Sequence, residues 1–417
     1  MFWSRLVPLT LSGLSSKDWR AARRIFASTG KAASEIRAFG LGALLAMAGA
    51  AAAANAAGIA QGGSGTMQPP PIILNPFSRP AGFGSATTGG DPGNVCIAHA
   101  LETLRLCAGD QHSLVVKIIG NPTILTDSRI LVASNKTIVG PATIIGPGSG
   151  SIFDLVSVSN VILRDLTLSE RLSGPCANAA SPTQVKGCGV PIFIQGSTKD
   201  VWIDHIDAGF CGEKCIEIWN LGMGNNNAPP DSITISYVSI HDTYFGMAVG
   251  IDSQARGPLG PERVTIYGSK FRNVFRRSIR AASYAWVHQF NNVIDGWGKT
   301  TSDCLGGNYA FGPSTTGQAQ LLLENNVFIP TPGSPCVQPV NVADYEPTIG
   351  FSRGIGYASA TGNISPVPLL ESAHLNVFRA PYPYMLLPAS SVAAMVAANA
   401  GTTAPFPAAG SFQALSN

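Results

Sequence analysis

The chain has 417 residues, of which 45% are hydrophobic and only 12% are charged. Together with 46 glycines and 30 prolines, this composition is typical of a globular protein rich in strands and turns, and it excludes a helical bundle and a disordered chain. The formal net charge of +3 is almost balanced, so we expect no nucleic-acid partner.

The first 60 residues have the features of an export signal. A basic segment containing Arg23 and Arg24 precedes an apolar run over residues 39–54. This run is rich in alanine and glycine, so a stable transmembrane anchor is the less favoured interpretation. We predict a cleaved signal peptide over residues 1–60 and a flexible lead-in over 61–95. The mature protein is expected to be secreted, extracellular or periplasmic, and not attached to a membrane.

The cysteines all follow this signal: Cys96, Cys107, Cys176, Cys188, Cys211, Cys215, Cys304 and Cys336. An even number of cysteines in an exported chain predicts disulfide bonds, and sequential pairing is the simplest arrangement. Zinc binding by Cys211 and Cys215 is the alternative, but no second Cys or His pair with suitable spacing lies near them.

Short β-branched runs separated by turn residues begin at about residue 114, which predicts an all-β fold. Units of the form Asn/Asp-x-Ile/Val-x-Ile recur at intervals of roughly 22–35 residues, and such recurrence is typical of a solenoid. We therefore predict a parallel β-helix rather than a β-sandwich. The predicted strands cover residues 115–119, 138–139, 143–145, 161–163, 192–194, 201–203, 233–235, 264–266, 286–290 and 320–323.

The ends of these strands and of the domain can also be predicted. Asn291-Asn292 and Asn325-Asn326 are typical of turns, because Asn tolerates left-handed backbone geometry. The β-helix domain is expected to span residues 96–401, with a short helix from about Ser390 and a tail over 402–417. Long loops are predicted at 171–187, 221–231 and 299–317.

Two carboxylates four positions apart, Glu213 and Glu217, follow the predicted strand V-W-I-D-H. A hard divalent cation prefers several oxygen ligands, so this pair is a candidate metal site. The alternative is a pair of solvated charges. Within the strand itself, Asp204 and His205 are interpreted as structural.

Several segments together resemble the polysaccharide lyase family 1 pectate lyases: S-N-V-I-L-R-D-L-T-L, V-W-I-D-H, V-T-I-Y-G-S-K-F-R-N and V-H-Q-F-N-N. The resemblance implies a right-handed parallel β-helix with a calcium ion held by Glu213 and Glu217. It also implies cleavage of 1,4-linked galacturonan by β-elimination, in which calcium stabilises the negative charge of the transition state. The expected partner is an acidic polysaccharide such as polygalacturonate, and the expected state is a monomer.

The same resemblance assigns roles to the segment F-R-N-V-F-R-R-S-I-R. It implies that Arg277 is the catalytic base and that Arg280 and Arg276 bind the substrate. The alternative is a basic surface cluster. The family pattern R-x-P-x-x-R is altered here to R-S-I-R, without its proline or its spacing.

Two further departures from the family concern substrate and metal binding. Phe245 stands where the family has a substrate-binding lysine, and Val190 stands at about the position of its first calcium aspartate. The acidic residues that could compensate are Asp165, Glu170, Asp207 and Asp252. The alternatives are therefore a pectin lyase that acts on methyl-esterified polymer without calcium, another uronan lyase, and a non-catalytic β-helix that binds acidic polysaccharide.

Overall fold

The computed structural model describes residues 79–171, 174–219, 228–250, 262–299, 303, 310–342, 345–346, 351–352, 356–371 and 377–402. All of these residues belong to one unit, Pro69–Asn417. None of the helices in the described ranges has the length and apolar character needed to cross a membrane.

Strands dominate the described residues. They are β1 (Val95–Ala98), β2 (Leu114–Ile118), β3 (Thr123–Leu125), β4 (Ile130–Leu131), β5 (Lys136–Ile145), β6 (Ser151–Val156), β7 (Ser159–Ser169), β8 (Val190–Gln195), β9 (Lys199–Gly209), β10 (Ile216–Ile218), β11 (Asp231–Ser236), β12 (Ser239–Phe245), β13 (Met247–Val249), β14 (Arg263–Tyr267), β15 (Lys270–Arg276), β16 (Arg280–Ala281), β17 (Trp286–Phe290), β18 (Val293–Asp295), β19 (Ser314–Thr315), β20 (Gln320–Glu324), β21 (Val327–Ile329), β22 (Tyr345–Glu346), β23 (Phe351–Ser352) and β24 (Tyr357–Thr361).

Helices are few in the described part of the chain. They are α1 (Leu101–Gly109), the one-turn α2 (Gly174–Ala177), a 3-10 helix (Pro182–Val185) and α3 (Ala389–Asn399). Helix α3 confirms the helix predicted from about Ser390.

The strands form three parallel columns, which we call the first, second and third faces. The first face runs β1-β2-β5-β7-β9-β11-β14-β17-β20-β24, and the third runs β4-β6-β8-β10-β13-β16-β19. The second face consists of β3, the carboxyl-terminal halves of β5, β7 and β9, and then β12-β15-β18-β21. Stacked parallel strands on three faces confirm the predicted all-β solenoid, and they exclude two packed antiparallel sheets.

A residue with left-handed backbone turns the chain from the first face to the second in each successive coil. The positions are Asp165, His205, Tyr237, Gly268, Asn291 and Asn325, with φ between 50° and 65°. One such residue changes the chain direction without a loop. Beside this corner, Asn292 donates from Nδ2 to Oδ1 of Asn326 at 3.0 Å, and Asn326 donates likewise to Asn363. The predicted asparagine turns are confirmed.

Aliphatic side chains that point inward lie above one another from coil to coil and form the core. On the first face the fully buried positions in one register are Val161, Val201, Ile233, Val264, Val287 and Leu321. Coils stack about 4.8 Å apart, so like residues at like positions fill the interior without voids. The core therefore follows from the recurrent Ile/Val-x-Ile pattern.

The residues before and after the solenoid cover the first face. Thr234 and Thr265 accept hydrogen bonds from the backbone of Gly84 and Phe83, both at 3.0 Å. The Phe83 ring lies 5.0 Å from the ring of Tyr382 in the carboxyl-terminal segment. Residues 79–95, predicted as flexible lead-in, are thus packed against the β-helix, because the glycines allow close contact with the strands.

Three disulfide bonds link cysteines that are consecutive in the sequence: Cys96–Cys107, Cys176–Cys188 and Cys211–Cys215. They agree with the sequential pairing predicted from the sequence. Cys336 is also disulfide-bonded, while its predicted partner Cys304 lies outside the described residues. The Cys211–Cys215 bond is important for the site, because it closes the short loop that carries Glu213 and Lys214.

Candidate active site

The third face presents a column of outward-pointing residues that contains two of the predicted site residues. Strand register places them in line, one on each of six successive strands: Asp154, Phe193, Glu217, Ala248, Arg280 and Ser314. Glu217 and Arg280 are therefore two strand spacings apart, or about 10 Å between Cα atoms. The column is the floor of a groove, since Glu217 and Arg280 are each only 6% exposed.

The predicted carboxylates Glu213 and Glu217 lie together. Glu217 is the central residue of β10, whereas Glu213 lies in the disulfide-closed loop. Burial raises the pKa of Glu217, and Glu213 raises it further, while Lys214 and Arg280 oppose this change. In the same loop, a Cβ atom on Gly212 would lie 1.9 Å from the backbone nitrogen of Cys188, so the close packing of this loop requires glycine.

Lys214, which the sequence did not single out, contacts both carboxylates. Its Nζ lies 2.6 Å from Oε1 of Glu217 and 3.5 Å from Oε2 of Glu213. Its side chain is 16% exposed. The two carboxylates and this ammonium together carry a net charge of about −1 before the nearby Arg280 is counted.

The three predicted arginines are clustered and buried. Arg276 ends β15, Arg280 begins β16, and their exposed fractions are 2% and 6%. Between them, Arg277 is 4% exposed and has a left-handed backbone with φ of 61°, which is uncommon for a residue with a long side chain. The alternative of a basic surface cluster is wrong, because these side chains are buried.

Phe245, which replaces the family's lysine, gathers cations around its ring. The guanidinium carbons of Arg277 and Arg276 lie 4.9 and 5.5 Å from the ring centroid, and Nζ of Lys214 lies 6.0 Å from it. Such distances allow cation–π attraction of roughly 0.5–2 kcal/mol each. The Phe245 ring packs edge-on against Tyr244, which stacks on Phe275 in the same buried cluster. The side chains of Lys214, Arg276 and Arg277 therefore lie close to one another around this ring.

A cavity of about 590 Å³ opens at the other side of Glu217. Its walls include the aromatic rings of Phe193 and Trp219, whose centroids are 6.5 Å apart, and the carboxylates of Asp154 and Glu213. The column is thus asymmetric, with Arg280 on one side of Glu217 and the side chains of Asp154 and Phe193 on the other. A cavity of this size can hold one sugar unit or more.

The residues around Glu217 do not fit a calcium site. Calcium takes roughly six to eight oxygen ligands, and no group of three or more His, Cys, Asp or Glu side chains in the described ranges is arranged to hold a metal. Lys214 already contacts both predicted ligands. Asp154 is held by Arg129 at 3.0 Å and by Ser151, and Phe193 lies between it and Glu217 in the register.

The acidic residues considered as substitutes for the missing aspartate lie elsewhere. Asp165 accepts a hydrogen bond from Thr402 at 2.5 Å at the corner between the first and second faces. Asp207 is paired with His241 at 3.2 Å on the second face. Glu170 is fully buried and accepts a hydrogen bond from the backbone of Gly148. Asp252 lies outside the described residues.

Asp204 and His205 have structural contacts on the first face. Asp204 accepts hydrogen bonds from Nε of Arg164 and from Oγ of Ser236, and its carboxylate lies 2.7 Å from Nδ1 of His205. This network is buried, and it lies on a different face from Glu217. It supports the strand stack rather than the groove.

Sequence reasoning missed Asp154, Phe193, Lys214 and Trp219. The usable signal was the alternation within short strand triplets, because Phe153–Leu155, Ile216–Ile218 and Met247–Val249 each place one residue outward between two inward ones. Aligning these triplets in register brings Asp154, Glu217 and Ala248 into one column, and Ala248 pairs in turn with Arg280 on β16. No comparable signal marks Lys214, whose contact depends on the shape of the loop.

Comparison with known proteins agrees with the fold. A family model described as pectate lyase matches residues 32–404. Pectate lyase B of Colletotrichum gloeosporioides is 28% identical over 332 residues, which cover 78% of this chain and 86% of that protein. A pectate trisaccharide-lyase of Bacillus licheniformis is 25% identical over 334 residues, which cover 77% of this chain and 84% of that protein.

Solved structures resemble the fold. The cedar pollen allergen jun a 1 has a TM-score of 0.58 and 20% identity, covering 78% of this chain and 93% of that one. A pectate lyase from Bacillus sp. N165, solved in complex with trigalacturonate, has a TM-score of 0.52 and 22% identity, covering 78% and 98%. Because the family model spans most of the sequence and the structure is the expected parallel solenoid, the chain belongs to the pectate lyase family of polysaccharide lyases.

Proposed function

We propose that this protein is an exported lyase that cleaves an acidic, 1,4-linked galacturonan by β-elimination. A base removes the proton on C5, which is α to the uronate carboxylate, and the electron pair forms the C4–C5 double bond. The C4–O4 bond breaks, and its electron pair leaves with O4, which takes a proton from water. The base then returns its proton to the solvent, so the protein is unchanged.

The observation that carries this proposal is a cluster of three buried arginines near Glu217. Arg280 lies in the same column as Glu217, and Arg276 and Arg277 approach the same Phe245 ring as Lys214, which contacts Glu217. Guanidinium groups bind carboxylates through two parallel hydrogen bonds, so such a cluster suits a polymer with one carboxylate per sugar. Arg280 lies in the column and is assigned to hold a substrate carboxylate. Arg276 is assigned to a second carboxylate contact.

Arg277 is assigned as the base. Arginine is normally protonated, so the assignment rests on position. Arg277 lies between Arg276 and Arg280 in the sequence, and the side chains of Arg276 and Lys214 approach the same Phe245 ring as Arg277. The left-handed backbone of Arg277 supports the assignment, since unusual backbone geometry is often retained at functional positions.

The calcium assistance implied by the sequence resemblance has no support in the groove. Glu213 and Glu217 would be its ligands, but Lys214 contacts both of them. The proposed reaction therefore depends on the protein's own cations to balance the negative charge that develops on the substrate carboxylate.

A second candidate is a lyase that prefers methyl-esterified pectin. It is favoured by the same contact between Lys214 and Glu217, because a neutral ester does not require a divalent metal. It is also compatible with the cavity beside Phe193 and Trp219, where acidic side chains disfavour a charged sugar.

The purified protein should be incubated with polygalacturonate and, separately, with highly methyl-esterified pectin. A lyase increases the absorbance of the unsaturated uronide, and mass spectrometry detects product ends that have lost water relative to hydrolysis products. Faster cleavage of polygalacturonate supports the first candidate, and faster cleavage of pectin supports the second. If the protein binds these polymers but cleaves neither, it is a non-catalytic polysaccharide-binding protein and both candidates are wrong.

A further inference from the structure

Lys214 occupies a position that a surface lysine does not ordinarily have. Its loop is closed by the Cys211–Cys215 disulfide, and its side chain is only 16% exposed. The ammonium lies 2.6 Å from Glu217, which is itself nearly buried. A buried carboxylate is costly unless it is paired, so the contact fixes the position of the ammonium on the groove floor.

Lys214 lies in a row of cations that pack against aromatic rings. Nζ of Lys214 lies 5.7 Å from the ring of Trp219 and 6.0 Å from the ring of Phe245. Arg277 and Arg276 complete the row, because their guanidinium groups approach the same Phe245 ring. Lys214 therefore stands between the carboxylate pair and the arginine cluster.

A divalent metal at the pair would compete with this ammonium. Glu213 and Glu217 offer two negative charges, of which Lys214 offsets one, and Arg280 lies close enough to lower the pKa of Glu217. The next carboxylate in the column, Asp154, is held by Arg129 and lies beyond Phe193. The charge and the ligands that remain are too few for calcium.

We propose that the ammonium of Lys214 replaces a divalent cation at Glu213 and Glu217, so that the site has no useful affinity for calcium and Lys214 itself binds the substrate carboxylate. Only the second part, binding of the substrate carboxylate by Lys214, rests on the proposed function. Lys214 then stabilises the negative charge that builds up on the uronate when the C5 proton leaves, and it makes no covalent bond.

Isothermal titration calorimetry with calcium chloride tests the first part without any substrate. Wild type should show no binding at millimolar calcium. Lys214→Met keeps most of the length of the side chain but removes its charge, so the variant should bind calcium weakly through Glu213, Glu217 and water, at concentrations where wild type shows no binding. The double variant Lys214→Met/Glu217→Gln should lose that binding again. Lys270→Met is the matched control, because Lys270 lies on the second face near Asp295 and should leave calcium binding and activity unchanged.

Cleavage rates test the second part. Wild-type activity should be unaffected by chelator, and Lys214→Met should lose about a hundredfold or more in kcat/KM, as expected for removal of one group that stabilises transition-state charge. Calcium binding by wild type, or full activity of Lys214→Met, would overturn the inference. If wild type cleaves no uronan, the proposed function is wrong. Calorimetry still shows whether Lys214 prevents calcium from binding to Glu213 and Glu217.

Discussion

Replacement of Arg277 by lysine tests the proposed base while preserving the fold. The Arg277 backbone is fixed by a hydrogen bond from its nitrogen to the carbonyl oxygen of Phe311 at 2.8 Å. Lysine has the same Cβ and the same charge, so it can keep the left-handed backbone at φ of 61°. Because the side chain is buried, we expect the free energy of unfolding to fall by about 1 to 3 kcal/mol, which the thermal unfolding measurement separates from the loss of activity.

The expected loss of activity follows from the geometry of the side chain. Lysine lacks the planar guanidinium that lies 4.9 Å from the Phe245 ring and cannot place a nitrogen at the same point. A misplaced general base costs about a hundredfold or more in rate. A hundredfold loss in kcat corresponds to about 2.7 kcal/mol in the activation free energy.

The assay is the initial rate of unsaturated-uronide formation on the preferred polymer, with thermal unfolding measured in parallel. Arg272→Lys is the matched control, because Arg272 is 48% exposed and pairs with Asp242 on the second face. Its rate should equal that of wild type, since exposed ion pairs contribute little. An Arg277→Lys variant with the wild-type rate would refute the role of Arg277 as base.

Three further predictions concern stability and the site. Burial raises the pKa of Glu170 from 4.5 to about 8, so between these pH values the carboxyl is ionised in the unfolded chain but protonated in the folded protein. The free energy of unfolding should therefore fall as the pH rises through this range. Glu170→Gln should remove this pH dependence. Replacing Cys211 and Cys215 by serine should cost about 2 kcal/mol, estimated from loop-closure entropy, and should lower activity by freeing the loop. Asn326→Ala should cost about 3 kcal/mol or more, because it leaves the buried Asn292 amide and the Gln289 carbonyl without partners.

Thermal unfolding between pH 5 and pH 9 checks the first of these, with Glu102→Gln on the exposed side of α1 as control; parallel curves for wild type and Glu170→Gln would contradict it. Urea unfolding together with the rate assay checks the cysteine variant, and unchanged activity would show that the disulfide does not position the loop. Urea unfolding also checks Asn326→Ala, for which a loss below about 1 kcal/mol would show that water replaces the lost bonds.

The solenoid could be predicted because its determinants are local and repeated. Each coil carries its own Ile/Val-x-Ile strand, and Asn291 and Asn325 mark corners by a property of their own backbone. The core follows once such coils are stacked, since inward positions of one strand meet inward positions of the next. The packed segment 79–95 was missed because its glycines and threonine contacts carry no strand pattern.

The groove was predictable only in part. Glu217 was found through its spacing from Glu213 and Arg280 through the resemblance, and both lie in the outward column. Asp154 belongs to the same column because of the register between β6, β8 and β10. This register could not be read from the sequence, because the loops between these strands differ in length. The role of Lys214 depends on the conformation of a side chain in a disulfide-closed loop, which no sequence pattern specifies.

The measurement that tests the central claim most directly is the absorbance of the unsaturated uronide during incubation of wild-type protein with polygalacturonate and with pectin, each in the presence of excess chelator. We expect a steady rise on at least one polymer that chelator leaves unchanged, because Lys214 and the arginines balance the substrate charge without calcium. No rise on either polymer, or a rise that chelator abolishes and calcium restores, would contradict it.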